Sequence, residues 1–192
     1  MAGIRIITPE AILSYPVLFE PRADKKGNLK YSCALVFTAG TDISAMMQAI
    51  EQAAIEKFGD KAPALLKKGR LKSPLRDDWD EKGYPEDSIF FNARASRKPG
   101  VVAAYADPRT GKPAVISDPD AVYPGQIVRA SVTFYGFDVE GNKGVAVGLN
   151  NIQILRDGDR LDSGRAAQDE FDAVAPAPDL SDLDGDPLAD LA

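Results

Sequence analysis

The stretch that decides the fold is Gln126-Ile-Val-Arg-Ala-Ser-Val-Thr-Phe-Tyr-Gly-Phe-Asp-Val139, followed by Glu140-Gly-Asn-Lys143 and then by Gly144 to Leu155. Its first part alternates in polarity, so apolar side chains would line one face of a strand. That face would carry Val128, Ala130, Val132 and Phe134, and the other face Ile127, Arg129, Ser131, Thr133, Tyr135 and Phe137. The pattern, with its Gly- and Asn-containing turn at 140–143, predicts a β-hairpin.

The segments before this hairpin predict more strands and one inserted helix. Residues 11–19 and 30–38 read as strands joined by a turn at 25–28, and 88–96 and 101–105 as two further short strands. Thr41 or Asp42 would cap a helix that runs to Phe58 and stops at Gly59, and a shorter helix is expected over 62–68. The irregular stretch 69–88 is expected to be a long loop.

These elements predict a mainly β fold with an inserted helix. Several strands, one interposed helix and no βαβ rhythm favour a small barrel or half-open sheet over a parallel α/β fold.

Charge divides the chain into two parts. No basic residue follows Arg165, whereas eight acidic residues do. Without those eight, the 29 acids of the chain fall to 21 against 23 basic residues, a net charge of +2 for the body. The segment 169–192 is also poor in core-forming residues. We therefore expect one domain over 1–168 and a disordered acidic tail over 169–192, with a merely solubilising terminus as the alternative reading.

Composition also bears on the compartment. Because Cys33 is the single cysteine, no intrachain disulfide can form, and its position in an apolar alternating run predicts a buried thiol in a strand. No stretch approaches the roughly 20 apolar residues of a membrane span, and the first residues lack the apolar core of a signal peptide. A soluble cytoplasmic protein with no membrane partner is expected.

The usual catalytic motifs are missing from the sequence. The chain has no histidine, the commonest general base and metal ligand, and no Walker loop or Gly-x-Ser-x-Gly motif. Pro187 replaces the glycine that a calcium loop at 182–186 would need. Residues 77–81 could hold Mg²⁺ as a nuclease would, but a solvated acidic loop is the simpler reading. We expect neither an enzyme nor a cofactor or metal.

Proteins bind single-stranded nucleic acid in a cationic groove with aromatic rings beside it. Basic and aromatic residues are interleaved in this sequence in a way that fits such a groove. Seven basic residues and one acid occupy 57–76, and Phe90 and Phe91 precede three cations. Those two rings point to opposite faces of a strand, so at most one would stack on a base while the other enters the core. As alternatives, the aromatic residues could pack in the core and the basic residues could simply be solvated charges. The candidate DNA-binding residues are Lys67, Lys68, Arg70, Lys72, Phe91, Arg94, Arg97, Lys98, Arg129, Tyr135 and Phe137.

Four segments carry a family resemblance. They are Asn92 to Gly100, Asp118 to Gly125, Arg129 to Asp138 and Gly144 to Gln153. Through them the chain resembles a family of bacteriophage single-stranded DNA-binding proteins over about residues 5–172, most specifically over 89–162. The resemblance implies a five-stranded oligonucleotide/oligosaccharide-binding (OB) barrel and sequence-independent binding of single-stranded DNA (ssDNA) in phage replication or recombination, in the cytoplasm of the host cell.

The resemblance also implies a role for the acidic tail. The tail would serve phage or host replication proteins through Asp179, Asp182, Asp184, Asp186 and Asp190. The charge split at Arg165, independently of the resemblance, predicts that the tail competes with DNA for the body. Bacterial relatives end in an aromatic residue, whereas this chain ends Leu188-Ala-Asp-Leu-Ala192. A phage structural or scaffold protein, a single-strand annealing recombinase and an Mg²⁺ nuclease are the alternative functions, and a homodimer is left open.

Overall fold

A computed structural model describes residues 3–161 of the chain, and the acidic tail lies outside them. The expected disorder of 169–192 and the five tail aspartates therefore fall outside the described residues. The described part is mainly β, as predicted, with three helices, of which the third lies within the predicted loop 69–88. Its elements are β1 (Ile4–Ile7), β2 (Ala11–Ala23), β3 (Leu29–Phe37), α1 (Ser44–Phe58), α2 (Ala62–Lys67), α3 (Trp79–Lys82), β4 (Ile89–Ala95), β5 (Gly100–Ala106), β6 (Pro113–Val115), β7 (Ile127–Val139) and β8 (Asn142–Arg156).

The hairpin predicted at 126–155 is present as β7 and β8. Its turn is shorter than expected, because Glu140 and Gly141 both adopt positive φ angles, 52° and 80°, and the strands pair from Val139 and Asn142 onward. Two central residues with positive φ match the right-handed twist of the flanking strands. A register shift between Ser131 and Val132 leaves Asn150 without a residue opposite it.

Five of the eight strands are linked in a circuit. β7 pairs with β2, β2 with β3, β3 with β4, β4 with β8, and β8 again with β7. The two parallel pairings are those of β8 with β4 and with β5. β1 extends β7, while β5 and β6 extend the sheet beyond β8. The sequence did not predict β1 or β6, which have only four and three residues.

The main core lies between the inner faces of these strands and α1. The strands contribute Leu13, Leu35, Phe91, Val132 and Phe134, and the helix its buried Met46, Ala49, Ile50, Ala53 and Ala54. The helix packs on β7 at Gly136, where a Cβ atom would collide with the Lys57 side chain.

The predicted helix is present and ends at Phe58 as predicted, where Gly59 follows with a φ of 79° and donates its backbone N–H to Ile55. The predicted cap at Thr41 or Asp42 is wrong, because Ile43 is the N-cap and no side-chain capping hydrogen bond is formed there. Cys33 is buried in the core, and burial raises the pKa of its thiol to about 12. This matches the expectation of a buried strand thiol.

The stretch 69–88, which was predicted to be a long loop, forms backbone hydrogen bonds with the sheet at two points. Lys72 donates its backbone N–H to Lys143 and accepts one from Val145, both at 3.0 Å, and so lies along the edge of β8. Arg76 and Phe90 exchange two backbone hydrogen bonds of 2.8 and 2.9 Å. These single-residue bridges leave no periodic pattern in the sequence. Among the described residues, no helix is long and apolar enough to cross a membrane.

Candidate nucleic-acid interface

One row of paired residues crosses six strands on the outside of the sheet. Arg5 of β1 is opposite Thr133, Thr133 opposite Gly148, Gly148 opposite Arg94, Arg94 opposite Ser32, and Ser32 opposite Val17. Neighbouring strands lie about 4.8 Å apart, so Arg5 and Arg94 are separated by roughly 14 Å along the surface. We call this surface, the side of β1, β7, β8, β4 and β3 away from the core, the outer face.

A groove of about 450 Å³ lies at the end of this row. It is lined by Arg5, Ala95, Ser96, Arg97, Lys98, Leu149 and Asn150. The predicted Arg97 and Lys98 therefore lie together, beside two residues that the sequence reading missed.

Hydrogen bonds orient the side chains around the groove. The Nε of Arg5 donates to the Ser131 hydroxyl at 2.9 Å, and the Asn150 amide donates to Thr133 at the same distance. Lys30 donates to the Ser96 hydroxyl at 2.5 Å. These bonds are to neutral partners, so the positive charges remain available to an anion.

The strands that form the outer face are nearly free of acidic residues. β1, β3, β4 and β8 contain no acidic residue, and the single acid of β7, Asp138, pairs with Lys143 at 3.0 Å. Within residues 3–161, Arg5, Arg94, Arg97, Lys98 and Arg129 form no ion pair with a carboxylate. Within the described residues, a polyanion would find no carboxylate paired with these cations.

Tyr135 and Phe137 lie half-buried on the same side of β7 as Arg129, as the alternation predicts. Tyr135 is opposite Ala146, and its Cε1 atom lies 3.6 Å from the point where a Cβ on Gly148 would be. The ring therefore lies at van der Waals distance from a glycine that pairs with Arg94. Arg129 donates to the Gln153 side chain at 2.7 Å. An aromatic ring and cations thus share one surface.

The prediction that Phe91 stacks on DNA is wrong for this structure. Phe91 is completely buried in the main core, where it contacts Phe37 and Phe134 with centroid distances of 5.5 and 5.9 Å. Phe90 points to the outer face but is also buried, beneath Tyr84 and Trp79. The strand alternation was correct, but it could not show that the segment 76–84 folds over the outward ring.

The basic cluster 67–72 is divided by the structure. Lys72 lies beside Gly144 of β8, where a Cβ on the glycine would meet its backbone. Lys67, Lys68 and Arg70 are exposed at the end of α2 and in the turn after it, an element separate from the outer face. Lys72 is therefore the member of this cluster that backbone hydrogen bonds attach to the sheet.

The sequence reading missed Arg5 and Asn150. Arg5 alternates with Ile4 and Ile6 over four residues, a pattern too short to predict a strand, and Asn150 belongs to a bulge that only the register reveals. Lys98 lies with its ammonium 5.5 Å from the centre of the Phe19 ring, an aromatic contact that no spacing indicates.

The acidic segment 77–81 does not form a metal cluster. The guanidinium of Arg76 pairs with the Asp78 carboxylate and lowers the pKa of that carboxyl. In the part of the chain that the structure covers, no group of three or more histidine, cysteine or carboxylate side chains is placed to hold a metal ion.

Proteins that hold single-stranded nucleic acid combine a cationic groove with aromatic rings on which bases stack, and the outer face carries both features. The model of one family, that of the single-stranded DNA-binding protein of Enterobacter phage Enc34, matches residues 4–181. The chain belongs to this family. A relative designated p50, from Acyrthosiphon pisum secondary endosymbiont phage 1, is 32% identical over 177 residues, which cover 86% of this chain and 91% of the relative.

Solved structures share the fold. The single-stranded DNA-binding protein from bacteriophage Enc34 superposes with a TM-score of 0.61 at 21% identity, covering 84% of this chain and 86% of the other. The same phage protein in complex with ssDNA gives a TM-score of 0.62 at 21% identity, over 82% and 89% of the two chains. Bacteriophage T7 gp2.5, also a single-stranded DNA-binding protein, gives 0.58 at 12% identity, over 92% and 100%.

Proposed function

We propose that this protein binds single-stranded DNA without sequence preference, and that the strand lies across the outer face. The observation that carries the proposal is the groove in which Arg5, Arg97 and Lys98 meet, at the end of a row that contains Arg94. Membership of the Enc34 family supports the same function.

The chemistry follows from the residues that line the face. Guanidinium and ammonium groups neutralise phosphates and release the counterions condensed on the strand, which gives affinity without reading sequence. Tyr135 would offer a ring to a base, and stacking is tolerant of sequence because every base has a π-face. Side chains such as Asn150 and Ser96 can donate to phosphate or sugar oxygens and fix the strand in position.

We further infer that the circuit β2-β3-β4-β8-β7 is an OB barrel. OB folds bind oligonucleotides on the face of their second and third strands and through the loops after the first and fourth. The corresponding parts here are β3 and β4, the turn 24–28 with Lys25 and Lys26, and the turn at 140–141. The domain would occupy residues 1–168.

The acidic tail would act as a competitor and as a recruiting segment. Its acids, Asp179, Asp182, Asp184, Asp186 and Asp190 among them, would pair with the outer face when DNA is scarce and be released when DNA binds. The released tail would then be free to contact phage or host replication proteins in the host cytoplasm. Support for this part comes from charge alone, because the sequence after Arg165 carries acidic residues and no basic ones, whereas the outer face carries cations.

Titration of a fluorescently labelled oligo(dT), repeated with duplex DNA of the same length, tests the proposal. We expect saturable binding to the single strand that is much tighter than binding to the duplex. Absence of binding would instead favour the structural or scaffold role. If complementary strands anneal faster in the presence of the protein, an annealing recombinase becomes the better description.

A further inference from the structure

Tyr15 combines two unusual properties for a residue inside a strand. It is 68% exposed, and its φ angle is 45°. A bulky side chain in the left-handed region is a genuine outlier, and Pro16, which follows, further restricts the backbone of the residue before it. Strained residues of this kind persist where the surrounding structure holds them, and they cluster at sites that bind ligands.

The strain has an identifiable cause. Tyr15 lies in a bulge of β2, in the register shift between Ser14 and Val17. Ser14 is buried, and the Tyr84 hydroxyl donates to its Oγ at 3.1 Å. Because the hydrogen bond from Tyr84 holds Ser14 in place, Tyr15 is the extra residue of the bulge and its ring projects toward solvent.

A cavity of about 260 Å³ opens beside the ring. It is lined by Ser14, Tyr15, Lys82, Gly83, Tyr84, Pro124 and Leu161. One wall is therefore aromatic, and Lys82 supplies a positive charge at the same place. An aromatic wall can stack on a nucleobase, and an adjacent cation can bind its phosphate. The cavity therefore fits a nucleotide better than it fits a purely apolar ligand.

The cavity lies two strands away from the centre of the outer face. Ser14 is opposite Ala34, which is opposite Asn92, while Val17 belongs to the row that contains Arg94. Tyr15 lies between these two rows and two strands away from β4, about 10 Å at the usual strand spacing. A strand whose phosphates are held at Arg94 would pass close to the Tyr15 ring.

We propose that Tyr15 and this cavity form a base-binding subsite for one nucleotide of the bound strand. The inference rests on the proposed function and adds to it a particular position, remote from Tyr135, where a base stacks. The bulge exists to present the ring, and Lys82 holds the phosphate of the same nucleotide or of its neighbour.

The test compares Tyr15→Asn and Tyr15→Phe with the wild-type protein on oligo(dT). Asparagine tolerates the left-handed region better than tyrosine, so Tyr15→Asn should melt no earlier than the wild type. Loss of one stacked base should weaken binding roughly 5- to 150-fold, the equivalent of one stacking interaction, whereas Tyr15→Phe should bind normally. Tyr105→Asn is the matched control, because Tyr105 is 71% exposed but lines another cavity, on β5.

A second oligonucleotide separates stacking from a folding defect. On an abasic strand with the same phosphates, Tyr15→Asn and wild type should bind equally, since no base is present to stack. A partly unfolded variant would instead bind both strands less well.

The results also distinguish this inference from the function on which it rests. The proposed function stands if the wild type binds oligo(dT) and Arg94→Ala binds it more weakly. The subsite is nevertheless excluded if Tyr15→Asn binds oligo(dT) as tightly as the wild type, or if its loss of affinity is equally large on the abasic strand. If the wild type does not bind oligo(dT) at all, the proposed function fails.

Discussion

At the scale of single residues, Arg97 and Lys98 combine position with unneutralised charge. They line the groove with Arg5, and no carboxylate of the described residues pairs with either. Surface charges of this kind contribute little to folding. Their removal should therefore affect binding far more than stability.

Replacing Arg97 and Lys98 together by alanine should weaken ssDNA binding and flatten its salt dependence. Each phosphate contact contributes about −0.7 to the slope of log K against log[salt] for a single strand, so two lost contacts should reduce the slope by about 1.4. Titrations at several salt concentrations measure this. The double variant Arg109→Ala/Lys112→Ala, in the turn between β5 and β6, removes the same charge elsewhere and should leave the slope unchanged. An unaltered slope in the first variant would move the DNA path away from the groove.

Tyr135→Leu should distinguish stacking from packing. Leucine keeps apolar bulk over Gly148 but has no aromatic face, so a stacking residue should lose about 1–3 kcal/mol of binding free energy with little change in melting temperature. Phe137→Leu is the companion variant, two residues along the same side of β7. Calorimetric melting and oligo(dT) titration give both quantities. If a variant has a lower melting temperature but binds oligo(dT) with normal affinity when folded, the ring that it replaces packs in the domain and does not stack on DNA.

At the scale of elements, β8 is the strand that organises the outer face. Along its length it is joined successively to Lys72, to β4 at Gly148 and to β5 from Asn151 onward. Its glycines differ in what surrounds them. A Cβ at Gly144 would collide with the backbone of Lys72, whereas one at Gly148 would lie 3.5 Å from the nearest atom, the Thr133 carbonyl oxygen.

Gly144→Ala should therefore destabilise the domain, and Gly148→Ala should not. Overpacking against backbone costs about 1–3 kcal/mol, while an unhindered alanine in a strand gains roughly 0.5–1 kcal/mol over glycine. Urea unfolding of the two variants provides the comparison. Equal stabilities would show that the segment around Lys72 is not held against β8 as described.

The elements that the sequence predicted are those with long periodic patterns. The hairpin of β7 and β8 alternates over most of its length, and α1 repeats its apolar residues at helical spacing, so both were found within a few residues of their bounds. β1 and β6 are too short to show a period. The bridges at Lys72 and Arg76, and the bulge at Tyr15, depend on long-range register, which local patterns do not encode.

The candidate site was predicted in part for the same reason. Strand alternation placed Tyr135 on the same face as Arg129, and Arg94 on the same face as Phe90, but it left open which face of 90–95 the core covers. The error at Phe91 arose because alternation assigns a face but does not tell which face is covered. Burial of both rings required two layers, the core on one side and the segment with Trp79 and Tyr84 on the other.

At the scale of the whole molecule, the charge of the chain is separated along its length. The body before residue 169 has a net charge of +2, whereas the eight acids after Arg165 have no basic residue among them. A tethered segment acts at an effective concentration that reaches the millimolar range for short flexible linkers. Such a tail would compete with DNA for the outer face, most strongly where salt does not screen the attraction.

Deletion of 169–192 should tighten ssDNA binding, more at low salt than at high salt. A full-length variant with the tail aspartates and glutamate changed to asparagine and glutamine is the matched control for length, and it should behave like the deletion. Affinity that is unchanged at low salt would exclude competition by the tail. If the truncated protein still binds the replication proteins that the full chain binds, the recruiting role fails and a solubilising terminus remains.

The central claim, that the outer face holds single-stranded DNA, is tested most directly by titrating labelled oligo(dT) with the wild-type protein and with Arg94→Ala. Arg94 is exposed at the centre of the row between Ser32 and Gly148, so its loss should spare the fold. We expect the wild type to prefer the single strand to the duplex, and Arg94→Ala to bind it more weakly with a shallower salt dependence and an unchanged melting temperature. Binding by Arg94→Ala with wild-type affinity and slope would contradict the claim.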